Sequence, residues 1–473
     1  MIATRILAAV LVLLAAGPGP VVGQDPTEPQ IQTVRLGEKV ILVTDGGMGS
    51  ELAINAKDGI VVFDTGWCSR IAKALRRQIE KEFGRSDIAA VVLTNQRLDF
   101  VGGSRAYEGA EIIAHERVRE VLARQKADLR PHLQPLIDMW RWKEDVSRKR
   151  LPTHAAGSQE ARIEENWMNT CKRMADDLSF DYELVLPTKT FDDRLSIDLG
   201  DMTLELEYFG AGSHGEAGLV ARIPERDLVL FGQLLFHEQH MLPYLNAMPW
   251  QDLEIPHTLR VLDEIIADEA NIETVVVTSG PWPLAEIKAR RRYMGDLWRE
   301  VQEAAKRGAS LDQMQQELTI EGHFPYIRDW DVWKNQGAEW CAQEHADNVA
   351  RFWGQLQKFG AREIFRACQD SGTESALAKY AELTGGRTGE YIVDGLSFDA
   401  LAGILFNAGF VEAAEAVARR NVESFPDVWQ VHFTLGEGLL ARGDNAGARA
   451  AFGKVLELDP ENAPAKQRID ELQ

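Results

Sequence analysis

Cysteine is scarce in this chain: Cys68, Cys171, Cys341 and Cys368 are all it has in 473 residues, and none stands in a C-x-x-C or Cys/His spacing. That excludes a zinc-finger type of structural metal site and a disulfide-stapled miniature fold. Cys341 with Cys368 is the pair to test for a bridge, and buried or free thiols are the simpler expectation in a chain this long. Basic residues are also in deficit. With 52 Lys and Arg against 73 Asp and Glu, the net charge of −21 opposes binding to nucleic acid or to an anionic membrane surface.

Long apolar runs are missing too, apart from one at the start. Arg5 precedes an apolar stretch over 6–16, and small residues then lead to Gly23. This pattern reads as a secretory signal over 1–23, and the run is too short for a spanning anchor. No cysteine lies near the expected cleavage point to carry a lipid. The expectation is a periplasmic or secreted protein with no membrane span after signal cleavage.

What is present is a succession of short apolar segments bounded by turn residues. Strands are expected at 39–43, 51–56 and 59–64, with Asp58-Gly59 as a hairpin turn, then a helix over 69–83 and a strand over 88–94. The pattern recurs with strands at 183–186, 194–199, 202–209, 218–223 and 228–231, a helix over 256–268 and a strand at 274–278. Two β-rich halves with helices outside them give an α/β fold class, an αββα two-sheet sandwich over 31–283. A polar, helical insert is expected over 104–182, carrying Trp140, Trp142 and Trp167. A helical extension follows over 284–380, where Trp298, Trp330, Trp333, Trp340 and Trp353 are read as core or interdomain packing and given no chemistry.

The last segment, 381–473, repeats itself with a period of 34: Leu401 and Leu435, Leu405 and Leu439, Gly409 and Gly443, Ala414 and Ala448, Pro426 and Pro460 share one offset. Together these describe a helix, a glycine turn, a second helix and a terminal proline. With Gly436, Ala448, Phe452 and Pro460 in place, the segment resembles two tetratricopeptide repeats leaning on the helices before them. The resemblance implies a possible protein or peptide partner at the helical repeats, though self-association or a buttressing role is as consistent with it.

One loop carries the functional question. Residues 91–103 read VVLTNQRLDFVGG, which resembles the metallo-β-lactamase signature T-H-x-H-x-D-H-x-G-G at Thr94, Asp99, Gly102 and Gly103. Asp64-Thr65-Gly66 is similar to that superfamily's early turn, and Gly212-Ser213-His214 to the segment bearing its next histidine. Leu230-Phe231-Gly232-Gln233 and Val277-Thr278-Ser279-Gly280-Pro281 stand where the bridging aspartate and the last histidine would fall. The resemblance places the family's ligand positions on Asn95, Arg97, Asp99, Phe100, His214, Gln233 and Ser279. Of these, only Asp99 and His214 are good zinc ligands, and a hydrolytic zinc needs about three. A permanent guanidinium at Arg97 would also repel a dication. The expectation is therefore no metal at the family's positions.

Several readings of the altered cleft remain. Arg97 pairs internally with Asp99, helped by Glu216, while Phe100 fills space; or Arg97, with Asn95, Gln233 and Ser279 around it, receives the carboxylate or phosphate of an anionic small molecule. His214 oriented by Asp99 is a candidate catalytic base, with Ser213 and Ser279 candidates by adjacency only. A relocated metal site is conceivable at His237 and His240, three apart around Glu238, and zinc enters as a cofactor only on that alternative. His115, His154 and His323 are read as surface or capping histidines. The leading expectation is an exported, non-zinc pseudo-hydrolase that binds a ligand or a protein through its cleft and repeats. The alternative is a hydrolase of the same superfamily with an altered or relocated site, and a third reading makes the repeats the main element of an envelope assembly factor.

Overall fold

The structure, a computed structural model, describes residues 31–45, 50–127, 129–180, 182–212, 215–231, 255–272, 274–277, 280–385 and 391–472. Two compact units divide them. The first contains the described residues up to Glu300 together with Glu317–Ala346, and the second contains Val301–Gln316 and the residues from Asp347 onward.

Two sheets form the heart of the first unit. One has the order β1 (Gln32–Arg35), β2 (Val40–Thr44), β3 (Ser50–Ala56), β4 (Gly59–Phe63), β5 (Ile88–Leu93), β6 (Glu111–His115) and β7 (Lys189–Phe191). Its first four strands are antiparallel neighbours, and β4 to β7 run parallel. The other sheet has the order β13 (Gly280–Trp282), β12 (Thr274–Val277), β11 (Leu228–Phe231), β10 (Gly215–Ile223), β9 (Thr203–Gly212) and β8 (Arg194–Asp198).

Alternation along each strand sorts side chains between two apolar layers. Leu42, Leu52, Ile54, Val61, Phe63 and Val92 meet Leu204, Leu206, Leu219, Ala221 and Leu230 between the sheets. Ile41, Val43, Ala53, Val62, Val91 and Leu93 point the other way, under Ile71, Leu75 and Ile79 of the helix Ser69–Phe83 and under Met174 and Leu178 of the helix Gln159–Phe180. On the second sheet Val229, Phe231, Val275 and Val277 are buried on the outer side, and the helix Ile255–Ala267 packs against β9. The expected α/β two-sheet class is met, and an all-α region follows it.

Two expectations need correction. The segment 111–115 belongs to the central sheet as β6, so the helical insert begins only at the helix Glu116–Ala127 and continues as Leu129–Arg150 and Gln159–Phe180. The residues 183–186 are not a strand, because their backbone is taken by side chains: Val185 N–H donates to Ser104 Oγ at 2.9 Å and the Leu184 carbonyl accepts from Lys126 Nζ at 2.6 Å. The four cysteines are all buried and free, which meets the simpler expectation, and the Cys341–Cys368 pair is unbridged.

Helical pairs build the second unit. The helices Gly395–Asn407 and Val411–Ser424 are followed by Trp429–Ala441 and Asn445–Leu458, each beginning 34 residues after its counterpart, and Ala463–Glu471 closes the series. A further hairpin precedes them. Gly372, with φ 77° and ψ −168°, breaks Gly360–Thr384 into two helices, a conformation that only glycine adopts easily. A Cβ placed on Gly360 would stand 3.2 Å from Leu383 Cδ1, so the two halves fold back on each other. Both halves contribute to one core, through Ile364 and Cys368 on one side and Tyr380 and Leu383 on the other. Among the described residues no helix is long and apolar enough to cross a membrane.

Candidate functional site

Because β4, β5 and β6 are parallel, the segments that leave their C-terminal ends lie at one edge of the sheet. These are the turn 64–68 after β4, the loop 94–103 after β5, and His115 at the end of β6 itself. The turn and the loop are bonded to each other directly. Thr65 N–H donates to the Phe100 carbonyl at 3.0 Å and Gly103 N–H to the Gly66 carbonyl at 3.2 Å. A Cβ on Gly103 would lie 1.9 Å from the Thr65 oxygen, and one on Gly102 would lie 2.4 Å from the Trp67 oxygen. No side chain fits at either position, which is the physical content of the glycine pair in the sequence motif. From the insert side, Tyr182 Oη donates to the Leu98 carbonyl at 2.6 Å and holds the short helix Leu98–Val101 that the loop contains.

Asp64 anchors the start of the loop. It adopts a positive φ of 58°, and its carboxylate accepts the Thr94 N–H at 2.8 Å and the Thr94 hydroxyl at 2.7 Å. Burial pushes its pKa up to about 7, against the lowering effect of those two bonds. Thr94 Oγ1 accepts in turn from Asn95 Nδ2 at 3.2 Å, and Asn95 Oδ1 accepts the Arg97 N–H at 2.8 Å. Asn95 is fully buried, with both ends of its carboxamide engaged by its own loop as an Asx turn. Arg97 is half-buried and lays its guanidinium over the Phe100 ring, 5.6 Å from the centroid. Phe100 also packs against the apolar layer under the helix Ser69–Phe83, so it fills space as expected and meets Arg97 as well.

The remaining expected site residues fall differently. Asp99 lies on the helix Leu98–Val101, and its side chain lies outside the described set, as does that of Glu216 on β10. His214, Gln233 and Ser279, together with Ser213, His237, Glu238 and His240, lie outside the described residues. His115 is buried rather than on the surface, stacked on Tyr208 with centroids 3.8 Å apart, and it takes the other expected role, capping the helix Glu116–Ala127. Its Nδ1 accepts from Arg117 N–H at 3.2 Å and its Nε2 faces the Asp192 carbonyl at 2.5 Å, so Nε2 carries the proton. Burial lowers its pKa and keeps the ring neutral.

A buried acid next to this edge went unnoticed in the sequence. Glu51, on β3, is wholly inaccessible and accepts a hydrogen bond from the buried Tyr107 hydroxyl. Burial drives its pKa well above the ordinary carboxylate range, Tyr107 acts the other way, and Asp64 adds to the rise. Arg76 lies over the Tyr107 ring at 5.5 Å and donates to the Ala106 carbonyl at 2.6 Å. Two further pairs tie the insert to the same end of the sheet: Arg70 grips Asp177 with bonds of 2.8 and 2.7 Å, and buried Arg173 reaches Asp45 at 3.2 Å. The only signal for Glu51 was a charged residue directly preceding the apolar residues Leu52, Ala53 and Ile54 of β3.

No family model matches this chain. Over 112 residues it is 33% identical to the 2,4-dinitroanisole O-demethylase subunit alpha of Nocardioides sp. strain JS1661, a match spanning 23% of this chain and 34% of that protein. The chain thus spans about a third of the length of that curated relative. Among solved structures it is similar to a stereoselective inverting sec-alkylsulfatase from Pseudomonas sp., with 12% identity, a TM-score of 0.47, and coverage of 92% of this chain and 66% of that one. It is also similar to a metallo-β-lactamase from Pontibacter korlensis, with 14% identity, a TM-score of 0.37, and coverage of 56% of this chain and all of that one.

Proposed function

We propose that the first unit is a metallo-β-lactamase-like domain that works without the family's zinc pair, as a binding cleft whose cationic group is Arg97. The observation that carries this reading is the engagement of Asn95. At the first family ligand position stands a buried carboxamide already committed at both ends, to Thr94 and to the Arg97 backbone. The next position carries a guanidinium over a phenyl ring, and that ring stands at a third. Neither a guanidinium nor a phenyl group donates a lone pair to zinc, so the donor set fits the metal poorly. A half-buried guanidinium suits a carboxylate or phosphate on a small molecule. The helical pairs, read as tetratricopeptide-like, are proposed to dock a protein or peptide, and the chain is proposed to act in the periplasm or outside the cell.

Elemental mass spectrometry on the purified protein, after equilibration with zinc and removal of loosely held ions, tests the reading. Less than about a tenth of an equivalent is expected. Roughly one or two equivalents would overturn it and direct attention to a relocated site such as His237 and His240.

One observation favours a second reading, an active enzyme with an altered site: the relative matched over 112 residues is an O-demethylase subunit. On that reading His214, oriented by Asp99, is the proposed base. Incubation with 2,4-dinitroanisole and detection of the released phenol tests it, with His214→Ala as the control. Turnover lost in that variant without loss of folding would replace the binding reading.

A further inference from the structure

In the second unit, a recess of about 520 Å³ is lined by Ala305, Gly308, Ala309, Ser310, Leu311, Asp312, Trp353 and Gln357. We infer that this recess is a binding site for a small organic cation, an alkylammonium or quaternary ammonium group, held between the Trp353 ring and the Asp312 carboxylate. All of its lining residues belong to the second unit, and Trp353 was read from sequence as packing, with no chemistry.

Both walls are built by structure that does not depend on a ligand. On one side the helix Leu284–Lys306 ends in a turn where Gly308 N–H bonds to the Ala305 carbonyl at 2.9 Å and Ala309 N–H to the Ala304 carbonyl at 3.1 Å. On the other, Arg362 donates to the carbonyls of Gln357 and Gly354, at 3.2 and 3.1 Å, and fixes the chain just beyond Trp353. Small residues at 305, 308 and 309 leave the space open. A volume of this size falls in the range of small-molecule sites.

The lining chemistry selects charge and shape. Asp312, the Gln357 carboxamide and the Trp353 indole N–H take part in no hydrogen bond or ion pair among the described residues. No Lys or Arg lines the recess, so an anion would meet a carboxylate without a counter-charge. Two of the nearby backbone donors are already engaged, because Ser310 and Gln313 cap each other reciprocally: Ser310 N–H donates to Gln313 Oε1 at 2.8 Å and Gln313 N–H to Ser310 Oγ at 3.3 Å. An apolar floor of Ala305, Ala309 and Leu311 suits methyl or methylene groups around a cationic nitrogen, and an indole face is the best aromatic partner for such a cation.

Titration calorimetry of the full chain with choline, and with its neutral isostere 3,3-dimethylbutan-1-ol, tests the inference. Asp312 is exposed, so affinity in the millimolar range is expected, with choline about two- to fivefold tighter than the alcohol. Asp312→Asn should erase that preference and leave the thermal melt unchanged. Trp353→Leu should weaken both probes, and if that variant fails to fold the comparison of choline with its isostere still decides. No saturable choline binding, equal binding of the two probes, or a preference that survives Asp312→Asn would each overturn the inference.

Discussion

Asp64 accepts both the backbone N–H and the hydroxyl of Thr94, at 2.8 and 2.7 Å, and so joins the turn after β4 to the first residue of the loop after β5. The carboxyl is buried and its pKa is raised to about 7. The folded state therefore holds a proton on Asp64 that the unfolded chain, at a pKa of about 3.9, has already lost. Its stabilising contribution is present below about pH 4 and is lost as the pH rises to about 7, at up to about 1.4 kcal/mol per pH unit. Asp64→Asn keeps an acceptor for the Thr94 N–H and tolerates the positive φ. Urea unfolding at about pH 5 and about pH 7 should show the variant gaining on the native protein as pH rises. A difference that is flat with pH would mean Asp64 is ionised in the folded state.

Gly103 stands where an alanine Cβ would sit 1.9 Å from a backbone oxygen, which no side-chain rotation relieves. Gly103→Ala is expected to cost more than about 3 kcal/mol or to prevent folding of the first unit. Gly403, inside the helix Gly395–Asn407, has nothing within 4 Å of its would-be Cβ. Gly403→Ala should raise stability by about 0.5 to 1 kcal/mol. Thermal melts of the two variants check the contrast.

Imidazoles placed in the loop should create a zinc site. The triple substitution Asn95→His, Arg97→His and Phe100→His removes a fixed positive charge and supplies three nitrogen donors. Equilibrium dialysis is expected to show zinc rising from below about a tenth of an equivalent to about one. Loss of the Asn95 bond to the Arg97 backbone should lower stability by about 1 kcal/mol in the absence of zinc. A triple variant that takes up no zinc would show that the loop resembles the family in sequence without sharing its ligand geometry.

How far the sequence could be read depended on whether the information was local. The hairpin between β3 and β4 was legible from its turn residues, but the register was one residue off: Ala56 pairs with Gly59, so the two-residue turn is Lys57-Asp58 and Gly59 already belongs to β4. The glycine pair at 102 and 103 was legible as a motif, and its cause is the close approach of the 64–67 turn. The strand β6 was missed because it is five residues long and runs directly into the helix Glu116–Ala127 with no turn signal between them. Glu51 was missed for a different reason. Its partner Tyr107 is 56 residues away, and nothing near Glu51 marks its carboxyl as buried. At the site, Asn95, Arg97 and Phe100 were plain in the sequence, while the chain of bonds from Asp64 through Thr94 and Asn95 to Arg97 required the fold.

A second buried group in the same unit titrates with the opposite sign to Asp64. His345 sits between the Tyr293 hydroxyl, 2.8 Å from Nδ1, and the Leu318 carbonyl, 2.6 Å from Nε2. Nε2 must donate to the carbonyl, so Nδ1 accepts from the tyrosine and the neutral ring is the form that fits. Burial lowers its pKa to about 4. The unfolded chain takes up a proton near its ordinary pKa of about 6.5, so stability is lost as the pH falls from there toward about 4. Over much of the window in which His345 favours higher pH, Asp64 favours lower pH, and the two slopes oppose each other in the native protein. His345→Gln should therefore gain on the native protein as pH falls, while Asp64→Asn gains as pH rises. Urea unfolding of both variants across that window checks the pair. If His345→Gln tracks the native protein at every pH, the imidazole is not held neutral by its two partners and the opposing slopes do not exist.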